Sequence, residues 1–99
     1  MARYDVFARR EGDGYLLDVQ ADLLESLTTR IVVPLLPILS APRPAARLNP
    51  VFSFSGSEMV MVTQFISAVP IAIFGARIGN LAAEHDAIIA ALDMALQGF

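Results

Sequence analysis

The residue types that most often carry out chemistry are few in this chain. The 99-residue sequence contains one histidine, His85, and no cysteine. Residues with strongly shifted pKa values are rare outside active sites. A lone histidine followed by an acid is therefore more often a surface or packed residue than a catalytic one. Ser57 lies beside Gly56 in a turn pattern, without the strand-to-helix elbow of a nucleophilic serine. We therefore expect a protein that is not an enzyme.

The acidic residues predict no metal site. Asp18 and Asp22 are four residues apart, but Asp18 lies in a predicted strand, where its side chain alternates with that of Val19. One histidine and scattered acids make no closed set of ligands, so we expect neither a metal nor a cofactor. Asp18 and Gln20 share a face of that strand. We interpret them as a hydrogen-bonded structural pair, because buried polar groups need partners.

The composition indicates one small domain with more apolar surface than it can bury. Hydrophobic residues make up 56% of the sequence, and the mean hydropathy is +0.58. The surplus predicts a permanent interface, most simply a homodimer. The longest apolar run, IVVPLLPIL, is about half a bilayer span and contains Pro34 and Pro37, so we expect no membrane segment. The lack of cysteines and of a signal-peptide pattern favours a cytoplasmic protein.

The charge balance argues against non-specific nucleic-acid binding. Seven basic and ten acidic residues give a net charge of −3. Binding to a phosphate backbone needs a positive surface that displaces counterions. We interpret the arginine pairs Arg9–Arg10 and Arg43/Arg47 as solvated loop ends.

Alternating apolar residues predict an antiparallel sheet in the first three quarters of the chain. RYDVFA and YLLDVQ, separated by the turn sequence EGDG, predict a hairpin over residues 3–20. RIVVPLLPI predicts a strand whose second half, after Pro34, lies at an edge or leaves the sheet. VFSFSGSEMVMVTQF predicts two strands with one inward face each, and SAVPIAIFG predicts a short strand entered through Pro70. Between these, Asp22 is a candidate cap for a short helical turn, and SAPRPAARLNP is an irregular loop.

After Gly75 the apolar spacing changes from two to three and four. This predicts one stripe of an amphipathic helix, formed by Ile78, Leu81, His85, Ile88, Leu92, Ala95 and Phe99. The predicted fold class is therefore mainly β with a C-terminal α-helix, arranged as a twisted antiparallel sheet or small barrel. The helix ends in apolar residues and has no basic side chain near its negative end, which is typical of a surface kept for a partner rather than for stability.

Four segments, in order and spacing, resemble the CcdB toxins: LLDVQADLL, RIVVPL, MVTQFISAVP, and a last helix that ends in Gly and one apolar residue. The similarity extends over essentially the whole chain. It implies an SH3-like barrel with a main antiparallel sheet, a small second sheet and a C-terminal helix, assembled as a homodimer.

The resemblance also implies a function. Such toxins bind the GyrA subunit of DNA gyrase and trap the enzyme on cleaved DNA. A CcdA-like antitoxin neutralises them through a disordered C-terminal arm, and only the toxin–antitoxin complex contacts operator DNA. The gyrase-binding residues implied by the resemblance are Leu23, Leu24, Asp93, Leu96, Gln97, Gly98 and Phe99. For Leu23 and Leu24, core packing is the alternative.

The end of the chain departs from the family pattern. The best-known members carry Trp-Gly-Ile there, and Gln97 stands in place of the Trp. This removes an aromatic ring that could stack on a guanidinium, a contact worth about 0.5–2 kcal/mol. Asp93 stands where those members have Asn. Weaker gyrase binding, altered gyrase selectivity and loss of poisoning all stay open.

Two alternatives to a gyrase poison remain. MazF-like toxins share this barrel and cut RNA, so the chain could be an endoribonuclease, although it shows no evident acid–base pair. The chain could also be a repurposed toxin that dimerises and binds antitoxin without poisoning gyrase.

Overall fold

The computed structural model describes residues 2–10 and 12–98. Seven strands and one α-helix are found there: β1 Asp5–Arg9, β2 Tyr15–Asp18, β3 Thr29–Pro37, β4 Val51–Phe54, β5 Ser57–Met61, β6 Ser67–Pro70, β7 Phe74–Asn80 and α1 His85–Gln97. Short 3₁₀ turns cover Asp22–Leu24, Thr63–Phe65, Ile71–Ile73 and Ala82–Glu84. The prediction of a mainly β fold with a C-terminal helix is confirmed.

The strands form one antiparallel sheet that curls into a half-barrel. Its order is β4-β5-β3-β2-β1-β7, and β6 pairs with the first part of β3. The predicted β1–β2 hairpin is confirmed by the pairs Val6↔Leu17 and Phe7↔Leu16. The predicted helical turn is also present, although Asp22 does not cap it. The cap position is Ala21, and the Asp22 carboxylate accepts the backbone N–H of Arg3 at 2.7 Å.

Strand β3 is the centre of the sheet, so the prediction that its second half lies at an edge or leaves the sheet is wrong. It pairs with β2 along one side, while β6 and then β5 pair along the other. The carbonyl of Pro34 accepts the N–H of Val62 at 3.0 Å. The nitrogen of a strand residue faces the same side as its carbonyl. The Pro34 nitrogen therefore faces the gap between the β6 pairing, which ends at Val32, and the β5 pairing, which begins at Leu35.

The predicted hairpin β4–β5 is present, but its two strands are buried differently. Phe52 points inward and Val51 outward, as alternation predicts for β4. In β5, Met59, Val60 and Met61 are all buried, so both faces of this strand are covered. The expectation of a single inward face is wrong for β5. This strand lies between β3 and β4, and β4 forms the end of the sheet order.

The segment after β5 differs most from the expectation. Pro70 ends β6 instead of beginning a strand, and β7 occupies Phe74–Asn80, where a helix was expected to start. A Cβ atom on Gly75 would lie 2.6 Å from the Ala8 carbonyl oxygen, so this glycine lets β7 approach β1 closely. Ile78 belongs to that strand, and the helix begins only at His85.

The sheet carries apolar layers on both faces. Helix α1 packs Ile88, Ala91 and Leu92 into the larger cluster, with Val6 and Leu17 of the hairpin. On the other face a smaller cluster contains Phe7, Leu16, Val32 and Phe74, and the rings of Phe7 and Phe74 stack with centroids 4.7 Å apart. The helix therefore covers only one face of the sheet. No helix within residues 2–10 and 12–98 is long and apolar enough to cross a membrane.

Candidate functional site

The last turn of α1 projects beyond the core. Leu92 is the last buried residue of the helix, and the residues from Ala95 to Gly98 are exposed. The side chain of Leu96 is 72% exposed, although leucine is normally a core residue. Gly98 has a left-handed φ of 81°, and its N–H donates to the Met94 carbonyl at 3.0 Å, which ends the helix. The predicted helix end is thus held in shape by its own cap while its side chains face outward.

The helix end combines apolar, amide and acidic groups. Asp93 is half-buried, and the Gln97 side-chain amide lies 3.4 Å from its carboxylate, a long hydrogen bond. The last turn contains no basic residue. Phe99, the seventh residue of the predicted set, lies outside the described residues. The resulting surface is apolar at Leu96 and negative at Asp93.

The turn Asp22–Leu24 also presents apolar side chains outward. Leu23 is 92% exposed and Leu24 is exposed as well, so the alternative of core packing is wrong within this chain. The turn is held through its backbone. The Gln20 side-chain NH₂ donates to the Leu24 carbonyl at 2.9 Å, and its oxygen accepts the Ile31 N–H at 3.1 Å. The polar residue that anchors the turn leaves both leucines free to contact a partner.

Gln20 is in turn tied to a buried ion pair, which confirms the structural interpretation of Asp18 and Gln20. The Gln20 N–H donates to the Asp18 carboxylate at 3.0 Å, and that carboxylate lies 2.6 Å from Nη2 and 2.7 Å from Nε of Arg30. Both charged side chains are fully buried. Burial raises the pKa of Asp18 above its ordinary value, although the hydrogen bond from Arg30 acts in the opposite direction.

The two parts of the predicted gyrase-binding set are attached to opposite ends of α1. Asp22 is bonded to the backbone of Arg3, and the next residue, Tyr4, bonds to His85 at the beginning of the helix. A helix of 13 residues is about 20 Å long. No hydrogen bond or ion pair among the described residues joins Leu23 or Leu24 to the residues from Asp93 to Gly98. A single continuous surface formed by both parts stays a prediction.

The only histidine has a structural partner. Nδ1 of His85 is hydrogen-bonded to the hydroxyl of Tyr4, a buried residue with the unusual left-handed φ of 71°. Burial raises the pKa of the Tyr4 phenol, and the positive charge of Arg3 opposes this. Local sequence patterns could not reveal this pair, because its members are 81 positions apart. Within residues 2–10 and 12–98, no group of three or more His, Asp or Glu side chains could hold a metal ion.

The structure also contains a concave surface that sequence patterns did not indicate. It is an open groove of about 750 Å³ that includes Arg9, Arg10, Phe65 and Ile73. Arg9 and Arg10 are exposed, as expected of solvated loop ends, but they line a largely apolar groove. Exposed and buried apolar residues look the same in a sequence, so only their three-dimensional arrangement reveals the groove.

Comparison with known proteins agrees with the fold and identifies the family. The sequence profile described as "CcdB protein" matches residues 3–98. No curated protein sequence matches significantly. Among solved structures, one described as an endoribonuclease in complex with its cognate antitoxin, from Mycobacterial species, superposes with a TM-score of 0.78 at 19% identity, over 97% of this chain and 94% of that one. At that identity the likeness establishes a shared fold. The family profile spans nearly the whole chain, and the chain therefore belongs to the CcdB family.

Proposed function

We propose that this protein is the toxin of a toxin–antitoxin system, a non-enzymatic dimer that binds the GyrA subunit of DNA gyrase and traps the gyrase–DNA cleavage complex. A CcdA-like antitoxin neutralises it, and the pair contacts operator DNA as a complex. Membership of the CcdB family supports the toxin assignment. The gyrase target follows from the family resemblance of the helix end.

The observation that carries the proposal is the exposure of the last turn of α1. After Leu92 the helix no longer contributes to the core, yet it continues to Gln97 and ends at a glycine cap. Leu96 is an apolar side chain exposed to water at this end, and in the proposal it is a contact for the target. Gln97 and Gly98 are exposed, so their removal should cost little folding energy and would remove part of the proposed contact surface.

The charge of the helix end supports a basic target. The helix macrodipole places partial negative charge at this end, and Asp93 adds a carboxylate one turn before the cap. A surface of this kind is complementary to arginine or lysine side chains flanked by apolar groups. The exposed Leu23 and Leu24 extend the apolar part of the proposed surface.

Dimerisation is part of the proposal. In the family arrangement the two helix ends lie beside a twofold axis, so one target meets two copies of Leu96, Gln97 and Gly98. A repeated patch of this kind doubles the contact area without lengthening the chain. The large number of exposed apolar side chains, among them Leu23, Leu39 and Phe65, supports a chain that is not monomeric.

A gyrase cleavage assay tests the proposal. Purified protein is incubated with gyrase, supercoiled plasmid and ATP, and linear DNA is scored after denaturation. Linear product that depends on this protein supports a gyrase poison. Cleavage of RNA by the protein without gyrase would instead indicate an endoribonuclease. A folded dimer that gives neither product contradicts the proposed toxin activity.

A further inference from the structure

The turn Asp22–Leu24 has a defined shape although it buries none of its own residues. None of its three side chains is buried, and Leu23 is 92% exposed. The residue before the turn, Ala21, provides no side-chain cap. A single helical turn is not stable in water by itself, because its few hydrogen bonds do not offset the entropy lost when its backbone is fixed. Contacts from outside the turn therefore hold it in place.

Gln20 provides the contact at the far end of the turn. Its side chain is only 3% exposed, and its NH₂ group donates to the Leu24 carbonyl at 2.9 Å. At the near end, the backbone N–H of Arg3 donates to the Asp22 carboxylate at 2.7 Å. Hydrogen bonds thus fix the turn at both ends while its leucine side chains are exposed to solvent.

The side chain of Gln20 also replaces a hydrogen bond of the sheet. In a regular antiparallel sheet, two residues of a hydrogen-bonded pair exchange both backbone bonds. The Val19 N–H donates to the Ile31 carbonyl at 3.0 Å, but the Ile31 N–H donates to the Gln20 side-chain oxygen at 3.1 Å. The amide therefore takes the position of a backbone acceptor where the chain leaves the sheet. One end of the amide is fixed to β3 and the other to the turn.

The buried pair Asp18–Arg30 orients the backbone at Gln20. The Asp18 carboxylate accepts the N–H of Gln20, two residues further on, at 3.0 Å, an arrangement that aspartate commonly forms in turns. Arg30 holds the same carboxylate, with Nε at 2.7 Å. None of these three residues is more than 3% exposed. Their contacts form a continuous chain from the interior of the sheet to the exposed leucines.

We propose that Gln20 is a positioning residue for target binding, which holds Leu23 and Leu24 in the arrangement that the target contacts. Gln20 is buried and does not itself belong to the contact surface. A segment that is ordered before binding loses less conformational entropy on binding than a flexible one. The inference rests on the proposed function in one respect, namely that the GyrA subunit is the target. It adds a buried residue whose loss weakens binding through the turn.

NMR relaxation and affinity measurements on the full-length protein test this role. Gln20→Met removes both side-chain hydrogen bonds and keeps a side chain of similar length. We expect the backbone order parameters of residues 22–25 to fall from about 0.85, typical of a rigid backbone, to below about 0.6. The Kd for a GyrA fragment, measured by surface plasmon resonance, should rise about tenfold. Circular dichroism establishes that each variant is fully folded under the conditions used.

The matched control is Asn49→Leu, at another buried amide that holds a different segment. The Asn49 side chain donates to the Met61 carbonyl at 3.0 Å and accepts the Ala45 N–H at 3.0 Å. Its loss removes buried hydrogen bonds of the same kind, so the protein should be destabilised to a similar degree. We expect neither the order parameters of residues 22–25 nor the Kd for the GyrA fragment to change.

A double-mutant comparison separates positioning from a general structural role. In a Leu23→Ala/Leu24→Ala background the turn presents no leucine side chains, so adding Gln20→Met should change the Kd by less than about twofold. A further tenfold loss in that background would overturn the proposal, as would unchanged order parameters in Gln20→Met or an equal loss of affinity in Asn49→Leu. If the unaltered protein binds no GyrA fragment, the proposed function is contradicted. The order parameters of residues 22–25 then decide by themselves whether Gln20 holds the turn.

Discussion

The hydroxyl of Tyr4 is hydrogen-bonded to Nδ1 of His85, and this bond joins the residue before β1 to the first residue of α1. Tyr4 is also fixed through its backbone. Its N–H donates to the Asp18 carbonyl at 2.6 Å, and its carbonyl accepts the Leu81 N–H at 2.8 Å. These bonds hold a bulky residue in a left-handed conformation that is rarely occupied. The start of the helix is thereby tied to the start of the chain.

Substitution Tyr4→Phe should destabilise the protein by about 1 kcal/mol, the typical net value of one hydrogen bond. The change removes the bond to His85 and keeps the ring in the core. Urea unfolding, followed by circular dichroism, measures the loss. Tyr15→Phe is the matched control, because the Tyr15 ring packs on Phe54 and its hydroxyl makes no hydrogen bond within the described residues. Equal losses for the two substitutions would contradict the assigned role of the Tyr4 hydroxyl.

The buried pair Asp18–Arg30 should behave as a unit. Arg30→Met leaves a buried carboxylate without its cation and should cost about 3–5 kcal/mol of unfolding free energy. Adding Asp18→Leu should recover part of that loss, because two apolar side chains then replace two charges while the Gln20 N–H loses its acceptor. Urea denaturation of both single variants and the double variant measures this coupling.

Arg77→Met provides the comparison for that experiment. Arg77 pairs with Asp5 at 2.9 Å, but its side chain is half-exposed, so its loss should cost no more than about 1 kcal/mol. If Arg30→Met lowers the free energy of unfolding no more than Arg77→Met does, the buried pair contributes no more to stability than the half-exposed one.

Asp5 should make the protein sensitive to acid. Burial would raise the pKa of this carboxyl, but hydrogen bonds from Asn80, from the Ala2 N–H and from Arg77 lower it below the ordinary value. A lowered pKa in the folded state gives stability that is present above the unfolded pKa of about 3.9 and is lost as the pH falls through the folded pKa. Asp5→Asn should therefore reduce the loss of stability between about pH 5 and pH 2.

Asp18 acts in the opposite direction and must be separated from this effect. Its raised pKa gives stability that is present at low pH and is lost as the pH rises through the folded pKa. Burial is the largest cause of the raised pKa of Asp18 and the charge of Asp5 is a smaller one, so Asp5→Asn is compared with its parent in an Asp18→Asn background as well as in the wild type. Asp13→Asn, at an exposed turn position, controls for removal of a charge alone. An identical loss of stability between about pH 5 and pH 2 in wild type and Asp5→Asn would contradict the role of Asp5.

Substitution Gln97→Trp should strengthen gyrase binding under the proposed function. Position 97 is exposed at the end of α1, so a larger ring meets no packing constraint within the described residues. Stacking of the ring on a guanidinium of the target would add about 0.5–2 kcal/mol, a gain of about twofold to thirtyfold in affinity. Surface plasmon resonance with a GyrA fragment measures it. Thr28→Trp, exposed in the segment after the Asp22–Leu24 turn, controls for an added aromatic side chain. A gain shared by both variants would contradict a specific contact at position 97.

The hairpin strands were predictable from the sequence, and β7 was not. In β1 and β2 apolar side chains are buried on both faces of the sheet, but the glycine-containing turn between the two strands marks the hairpin. In β4 the buried Phe52 lies between the exposed Val51 and Ser53.

In β7 the central residues Ala76, Arg77 and Ile78 are all exposed, so no period of two is visible. The spacing between Ile78 and Leu81 then mimicked a helix, and the predicted helix began seven residues too early, at Ile78 instead of His85.

The prolines of β3 were misread for a related reason. A proline in a sheet is excluded only where its missing N–H is needed. Whether it is needed depends on which strands flank it, and the change of partner from β6 to β5 beside Pro34 involves residues about 30 positions later. Local sequence rules carry no information on that pairing.

The candidate site was predictable in part. Family resemblance selected the helix end, and the structure shows its residues from Leu96 to Gly98 exposed and capped. The exposure of Leu23 could not be predicted, because a leucine that follows a strand is as compatible with the core as with the surface. It depends on the hydrogen bond from Gln20 to Leu24, which fixes the path of the turn.

The most direct test of the central claim is a gyrase cleavage assay that compares the full-length protein with a variant lacking residues 97–99. Circular dichroism and sedimentation first establish that the shortened variant is folded and has the same assembly state as the full-length protein. We expect linear plasmid with the full-length protein and none with the shortened variant. Equal amounts of linear plasmid with both proteins would contradict the assignment of the helix end as the gyrase-binding surface.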